Sequence, residues 1–120
     1  MTTRYIELTK TMIIAMPHEI DHHSSAIVKE EAEKIFSKYS VNNIVFDFSD
    51  TSFMDSAGIG LIMGRYRIIS PRGGKIYGVG INPNIDKILL ISGIYNVLEK
   101  IENKNQLIGE DVLWVTPMKW

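Results

Sequence analysis

Apolar residues along this chain come in short runs and in stripes of two different periods. Arg4–Lys10 carries Tyr5, Ile6 and Leu8, and Met12–Met16 is an unbroken apolar run. Both have strand character and lie close enough to form a hairpin, although Thr9-Lys10-Thr11 is not a favoured turn sequence. Pro17 stops the second strand. From Ser24 to Tyr39 the apolar positions are Ile27, Val28, Ala32, Ile35, Phe36 and Tyr39. That is helical spacing, with Lys29, Glu30, Glu33, Lys34 and Lys38 on the other face. Asp21 or Ser24 is the expected cap.

After the Asn42-Asn43 turn signal, Ile44–Phe48 reads as a buried strand. A helix follows from Ser56, striped by Ile59, Ile62, Met63, Tyr66 and Ile69, and Ser70-Pro71-Arg72-Gly73-Gly74 ends it. Lys75–Val79 is the next strand. Pro83 opens a third helix with Ile85, Ile88, Leu89 and Ile91 on one face and Gly93 as C-cap. Val97–Ile101 reads as a last strand and Asn103–Leu113 as a weaker helix; Trp114–Trp120 finds no place. The alternation implies a single α/β domain over 1–120. It has a mainly parallel central sheet with an antiparallel edge strand, an N-terminal β-hairpin and about four helices.

Composition narrows the function classes. The 120 residues are 45 % hydrophobic and 22 % charged, as in an ordinary globular domain. With no cysteine, disulfides, thiolate zinc sites and cysteine nucleophiles are excluded. A net charge of −1 argues against a nucleic-acid partner or attachment to a membrane surface. The first residues lack the apolar core of a secretory signal, and no stretch approaches the ~20 apolar residues of a membrane span. A cytoplasmic binding or regulatory module, not an enzyme, is expected.

The candidate chemistry sits where strand and loop run into the second helix, in FMDSAGIGLIMGRYR (53–67). Ser56 is expected to cap this helix. The free amides and positive end of a helix also suit a phosphate there, and phosphorylation would add about −1.5 to −2 charges. Gly58 and Gly60 each cost the helix up to ~1 kcal/mol against alanine. They either let the helix pack closely on the sheet or let another protein approach.

A second segment, His18-Glu19-Ile20-Asp21-His22, matches H-E-x-x-H, the helical zinc-hydrolase pattern. It makes a zinc-dependent hydrolase a remote alternative. It follows Pro17, contains the cap residue Asp21 and precedes the helical spacing, so a polar strand-to-helix loop is the better expectation. Gly78-Val79-Gly80 does not complete G-x-G-x-x-G, because Pro83 stands at the third glycine position. Ser56 lacks the G-x-S-x-G elbow of a hydrolase nucleophile.

Taken together, FMDSAGIGLIMGRYR, EIDHHSS (19–25), Gly73-Gly74-Lys75, Pro83 and Ser92-Gly93-Ile94 resemble the STAS domain of anti-sigma factor antagonists, most closely the sporulation branch that releases the forespore sigma factor. The likeness covers roughly 4–102, within a domain core of about 4–113. It implies that the unphosphorylated chain binds an anti-sigma factor with serine kinase activity and frees the sigma factor. The kinase then phosphorylates Ser56, and a PP2C-type phosphatase reverses this. ATP and magnesium belong to the partner, so no cofactor, metal or catalytic residue is expected here. The partner-binding positions implied are Asp21, His22, Asp55, Ala57, Gly58, Ile59, Gly60 and Ile88. A STAS module of a stress-response signalling complex or sensor is the alternative. The chain departs from the family at His18, usually glycine; at Ala57, often serine in this branch; and in the tail Leu113–Trp120.

Overall fold

The computed structural model describes residues 3–103. The hairpin forms from β1 (Thr3–Ile6) and β2 (Thr11–Ala15), antiparallel, with Thr3 opposite Ile14 and Ile6 opposite Thr11. The unfavourable turn sequence has a visible consequence. Lys10 is the one non-glycine with positive φ among the described residues, at 52°. Its carbonyl is pinned from the next crossover by the amides of Asn42 (2.8 Å) and Asn43 (3.3 Å), so tertiary contacts hold a left-handed residue that local preference disfavours.

A two-residue strand, β3 (Glu19–Ile20), then leads into α1 (His22–Lys38). The chain continues through β4 (Asn43–Asp47), a second two-residue strand β5 (Phe53–Met54), and α2 (Ser56–Ile69). After a 3-10 turn at Ser70–Arg72 come β6 (Lys75–Val79), α3 (Pro83–Ser92), a 3-10 turn at Ile94–Asn96, and β7 (Leu98–Lys100). The main sheet has the order β1-β2-β4-β6-β7, and every pairing after the hairpin is parallel. Three α-helices lie in the described residues; the fourth expected helix, beyond Asn103, and the two-tryptophan tail lie outside them. No helix of the described residues is long and apolar enough to cross a membrane.

The strand pleat divides the apolar residues between two clusters. Met12, Ile14, Ile44, Phe46 and Ile76 join Val28, Ala32 and Ile35 of α1, Leu61, Ile62 and Ile69 of α2, and Ile85 and Leu89 of α3 in the main core. Alternate residues Ile13, Val45, Tyr77 and Val79 form a second cluster with Ile6 and Ile101. Two expected core positions are corrected. Ile91 is 79 % exposed and Ile27 is 44 % exposed. Each lies at the margin of its helix's apolar stripe and turns away from the sheet. Gly93 does cap α3, at φ 79°, where an L-residue would be strained.

Candidate functional site

The short strands β3 and β5 organise the site. They pair in parallel, Glu19 with Phe53 and Ile20 with Met54, apart from the main sheet. Each ends in an aspartate that caps a helix: Asp21 caps α1 and Asp55 caps α2. The Asp55 amide donates to the Ile20 carbonyl at 3.0 Å. Two helix N-termini are thereby set side by side, one beginning at His22 and the other at Ser56.

Asp21 and Ser24, the two expected cap candidates, act together as a capping box. Asp21 Oδ1 accepts from the Ser24 amide at 2.9 Å, and the Asp21 amide donates to Ser24 Oγ at 3.0 Å. Ser24 Oγ donates in turn to the Glu19 carbonyl at 2.7 Å, which ties the cap to β3. The bond from the Ser24 amide, foremost, holds the Asp21 carboxyl below its ordinary value. Stability linked to this group is therefore present above the unfolded value of about 3.9 and is lost as pH falls through the lower folded value. Asp21→Asn keeps a capping side chain without the charge. Melting temperatures measured from pH 5 down to 2 should fall less steeply for the variant than for wild type. Parallel curves would refute that assignment.

The cap of α2 differs from the sequence expectation. Asp55, not Ser56, occupies the N-cap, with Oδ1 accepting from the Ala57 amide at 2.8 Å. Both residues are good caps, and the extended backbone belongs to Asp55. Ser56 is therefore the first helical residue, and it is exposed. Gly58 also changes role. It is buried, and a Cβ there would lie 2.5 Å from Met54 Cγ and 2.9 Å from Ile20 Cγ2. It lets α2 sit down on the β3–β5 ladder rather than offering a surface to a partner. Gly60 is the opposite case: it is exposed, with nothing within 4 Å of an added Cβ.

The remaining positions fall around this centre. His22 is exposed and Ala57 half-buried, while Ile59 and Ile88 are half-buried against the core. Ile88 comes from α3, which packs on β5. Two residues escaped the sequence reading. Phe53, 49 % exposed, is three positions before Ser56 and lies on the outer side of β5 by the same alternation that buries Met54. Arg65, only 6 % exposed, falls in the buried stripe Gly58, Leu61, Ile62, Arg65 and Ile69. Its spacing from Leu61 and Ile69 was the available signal.

The zinc reading does not survive the geometry. Glu19 and Ile20 are in a strand and the helix begins only at His22, so His18 and His22 do not share a helical face. Both ring nitrogens of His18 are already engaged: Nδ1 lies 3.0 Å from the Asp50 carbonyl, to which it can only donate, and Nε2 lies 3.0 Å from Ser52 Oγ. The backbone of His18 is not left-handed. Histidine therefore stands without strain where the resemblance implies glycine, and its ring braces the 50–52 loop.

Across residues 4–107 the chain matches the STAS domain family. It is 29 % identical to an anti-sigma F factor antagonist of Paenibacillus polymyxa over 99 residues, 82 % of this chain and 85 % of that protein. The structure superposes on the anti-sigma factor antagonist SpoIIAA in its unphosphorylated form with a TM-score of 0.75, at 23 % identity, covering 88 % of this chain and 93 % of the other. The phosphorylated form of Bacillus SpoIIAA gives 0.67 at the same identity, covering 88 % and 96 %. These two likenesses establish the fold.

Proposed function

Since the chain belongs to the STAS domain family, we propose that it is an anti-sigma factor antagonist switched by phosphorylation of Ser56. The observation that carries the reading is the placement of Ser56. Its hydroxyl stands on an exposed first turn, beside a second helix N-terminus, on a ladder fixed by backbone hydrogen bonds. The similarity to an anti-sigma F factor antagonist supports the kind of partner.

In this reading the unphosphorylated face, made by Ser56 with Asp21, His22, Asp55, Ala57, Ile59, Gly60 and Ile88, docks on an anti-sigma factor that is also a serine kinase. Docking displaces the sigma factor. Ser56 Oγ then attacks the γ-phosphorus of the partner's ATP, ADP leaves, and the hydroxyl proton passes to a base on the partner. ATP and magnesium stay with the kinase, and a PP2C-type phosphatase hydrolyses the phosphoserine.

The switch is electrostatic. Phosphorylation adds about −1.5 to −2 charges to a patch that already holds the Asp21 and Asp55 carboxylates. Like charges raise the free energy of a docked state that must desolvate them. Ser56→Asp should accordingly leave the circular dichroism spectrum unchanged and weaken capture of the kinase in a pull-down. Undiminished capture by a folded variant would contradict the proposed switch.

A further inference from the structure

The geometry points to a binding site for a small oxyanion, of the phosphate or carboxylate class, in the groove between α1 and α2, with Arg65 as its main ligand. This goes beyond the phosphorylation reading and does not depend on it.

The groove has a volume of about 430 Å³. Its walls follow one helical face from each side. His22, Ser25, Ala26 and Lys29 repeat at i, i+3, i+4 and i+7 on α1, and Ala57, Gly60, Leu61 and Gly64 do the same on α2. Small residues on the facing surfaces leave the space between the two helices unfilled. An added Cβ at Gly60 or at Gly64 meets nothing within 4 Å. The space is real, and it runs from the first turns of both helices down to Arg65 in the third turn of α2.

Its polar groups are unpaired in a way that calls for an acceptor. Arg65, 6 % exposed, lines the groove, and its Nε and Nη1 are buried without a hydrogen-bond partner. Ser25, 9 % exposed, lines the same groove, and its Oγ is likewise buried and unpartnered. Buried donors without partners are rare and unfavourable in folded proteins, and a buried guanidinium is ordinarily matched by a carboxylate or an oxyanion. Desolvation pushes the Arg65 pKa down and the field of Glu33 pushes it back up; the group remains a cation. No carboxylate forms an ion pair with Arg65 among the described residues. His22 and Lys29 add basic groups at the same groove. A planar guanidinium fork and a hydroxyl donor share the chemistry of an oxyanion receptor.

The test needs only the full chain and inorganic salts. Inorganic phosphate is titrated at constant ionic strength against chloride, with acetate as a second arm, while amide shifts and the melting temperature are followed. The expected result is saturable binding of at least one of the two anions. It should move the amides of Ser25, Gly60 and Gly64 and raise the melting temperature. Arg65→Met should lower that affinity by about tenfold or more, the usual scale for losing a charged hydrogen bond. If Arg65→Met does not fold, Gly64→Leu serves instead, because it fills the groove from open space and should abolish the same shifts. Binding of either anion at these amides supports the site, and the tighter of the two identifies the chemistry. Shifts confined to other residues, no saturation with either anion, or unchanged binding in the folded variants would overturn it. No kinase is present, so failure here leaves the reading of Ser56 untouched.

Discussion

Incubated with the partner kinase, ATP and magnesium, the wild-type chain should gain one phosphate by intact mass, and Ser56→Ala should gain none. The expected contrast is complete because the acceptor is an atom that the substitution deletes. Neighbouring hydroxyls do not offer a ready substitute. Ala57 leaves no second serine in the acceptor turn, and Ser24, across the ladder, is held in the α1 cap with its Oγ donating to the Glu19 carbonyl. Ser56 itself forms no part of the α2 cap bond, which runs from Asp55 to Ala57. Ser56→Ala should therefore fold and melt like wild type, which makes the mass result interpretable. Transfer to the alanine variant, or no transfer to wild type by a kinase that binds it, would refute Ser56 as acceptor.

The second large effect concerns the scaffold. Phe46 is fully buried in the central strand β4, between Ile14 of β2 and Gly78 of β6 in the ladder. Replacing it with alanine removes the largest class of core side chain at a point where neighbours on both sides are fixed by backbone hydrogen bonds. The transfer and cavity contributions together should destabilise the fold by about 3–5 kcal/mol, a large part of the ~5–15 kcal/mol typical of a domain. At about 4–8 °C per kcal/mol for a domain near 100 residues, thermal unfolding should shift down by about 12 °C or more. A shift under about 5 °C would mean that the helices collapse into the vacated space. Well below its midpoint the variant should still accept phosphate on Ser56, because the β3–β5 ladder is a separate sheet.

How much of this was legible in the sequence depended on segment length and on which neighbours decide an orientation. β6 was read at both ends, Lys75 and Val79, because Gly73-Gly74 and Gly80 bracket five strand-forming residues. The hairpin, the three described helices and the parallel order followed from alternation. The start of α1 is left between two caps, Asp21 and Ser24, because the spacing shows only where the apolar face begins; Asp21 takes the N-cap and the helix begins at His22. Of the strands that build the site, β3 is not legible, and β5 only as an unbounded strand running into the second helix. Two residues are too few to show a period, and β3 and β5 exist because each supplies the other's hydrogen bonds. Ile91 and Ile27 were assigned inward because a 3.6-residue pattern does not separate the centre of an apolar stripe from its margin. Arg65 was passed over for a related reason: charge usually marks the solvent side, and here it falls in the buried stripe of α2 against the groove with α1. At the junction the cap passes to a neighbour, an exchange between two good cap residues: Asp55 holds it, and Ser56, the expected cap, is the first helical residue.

That exchange bears on how easily a modification at Ser56 could be undone. Had the serine been the cap, a phosphate would settle onto the open amides of α2 and become part of the helix, shielded from any enzyme sent to remove it. With Asp55 already seated on the Ala57 amide, a phosphoester on Ser56 would be left standing outward in water, repelled by the carboxylate beside it. A mark written there would not be absorbed by the fold, so its lifetime would be set by the proteins that read and erase it.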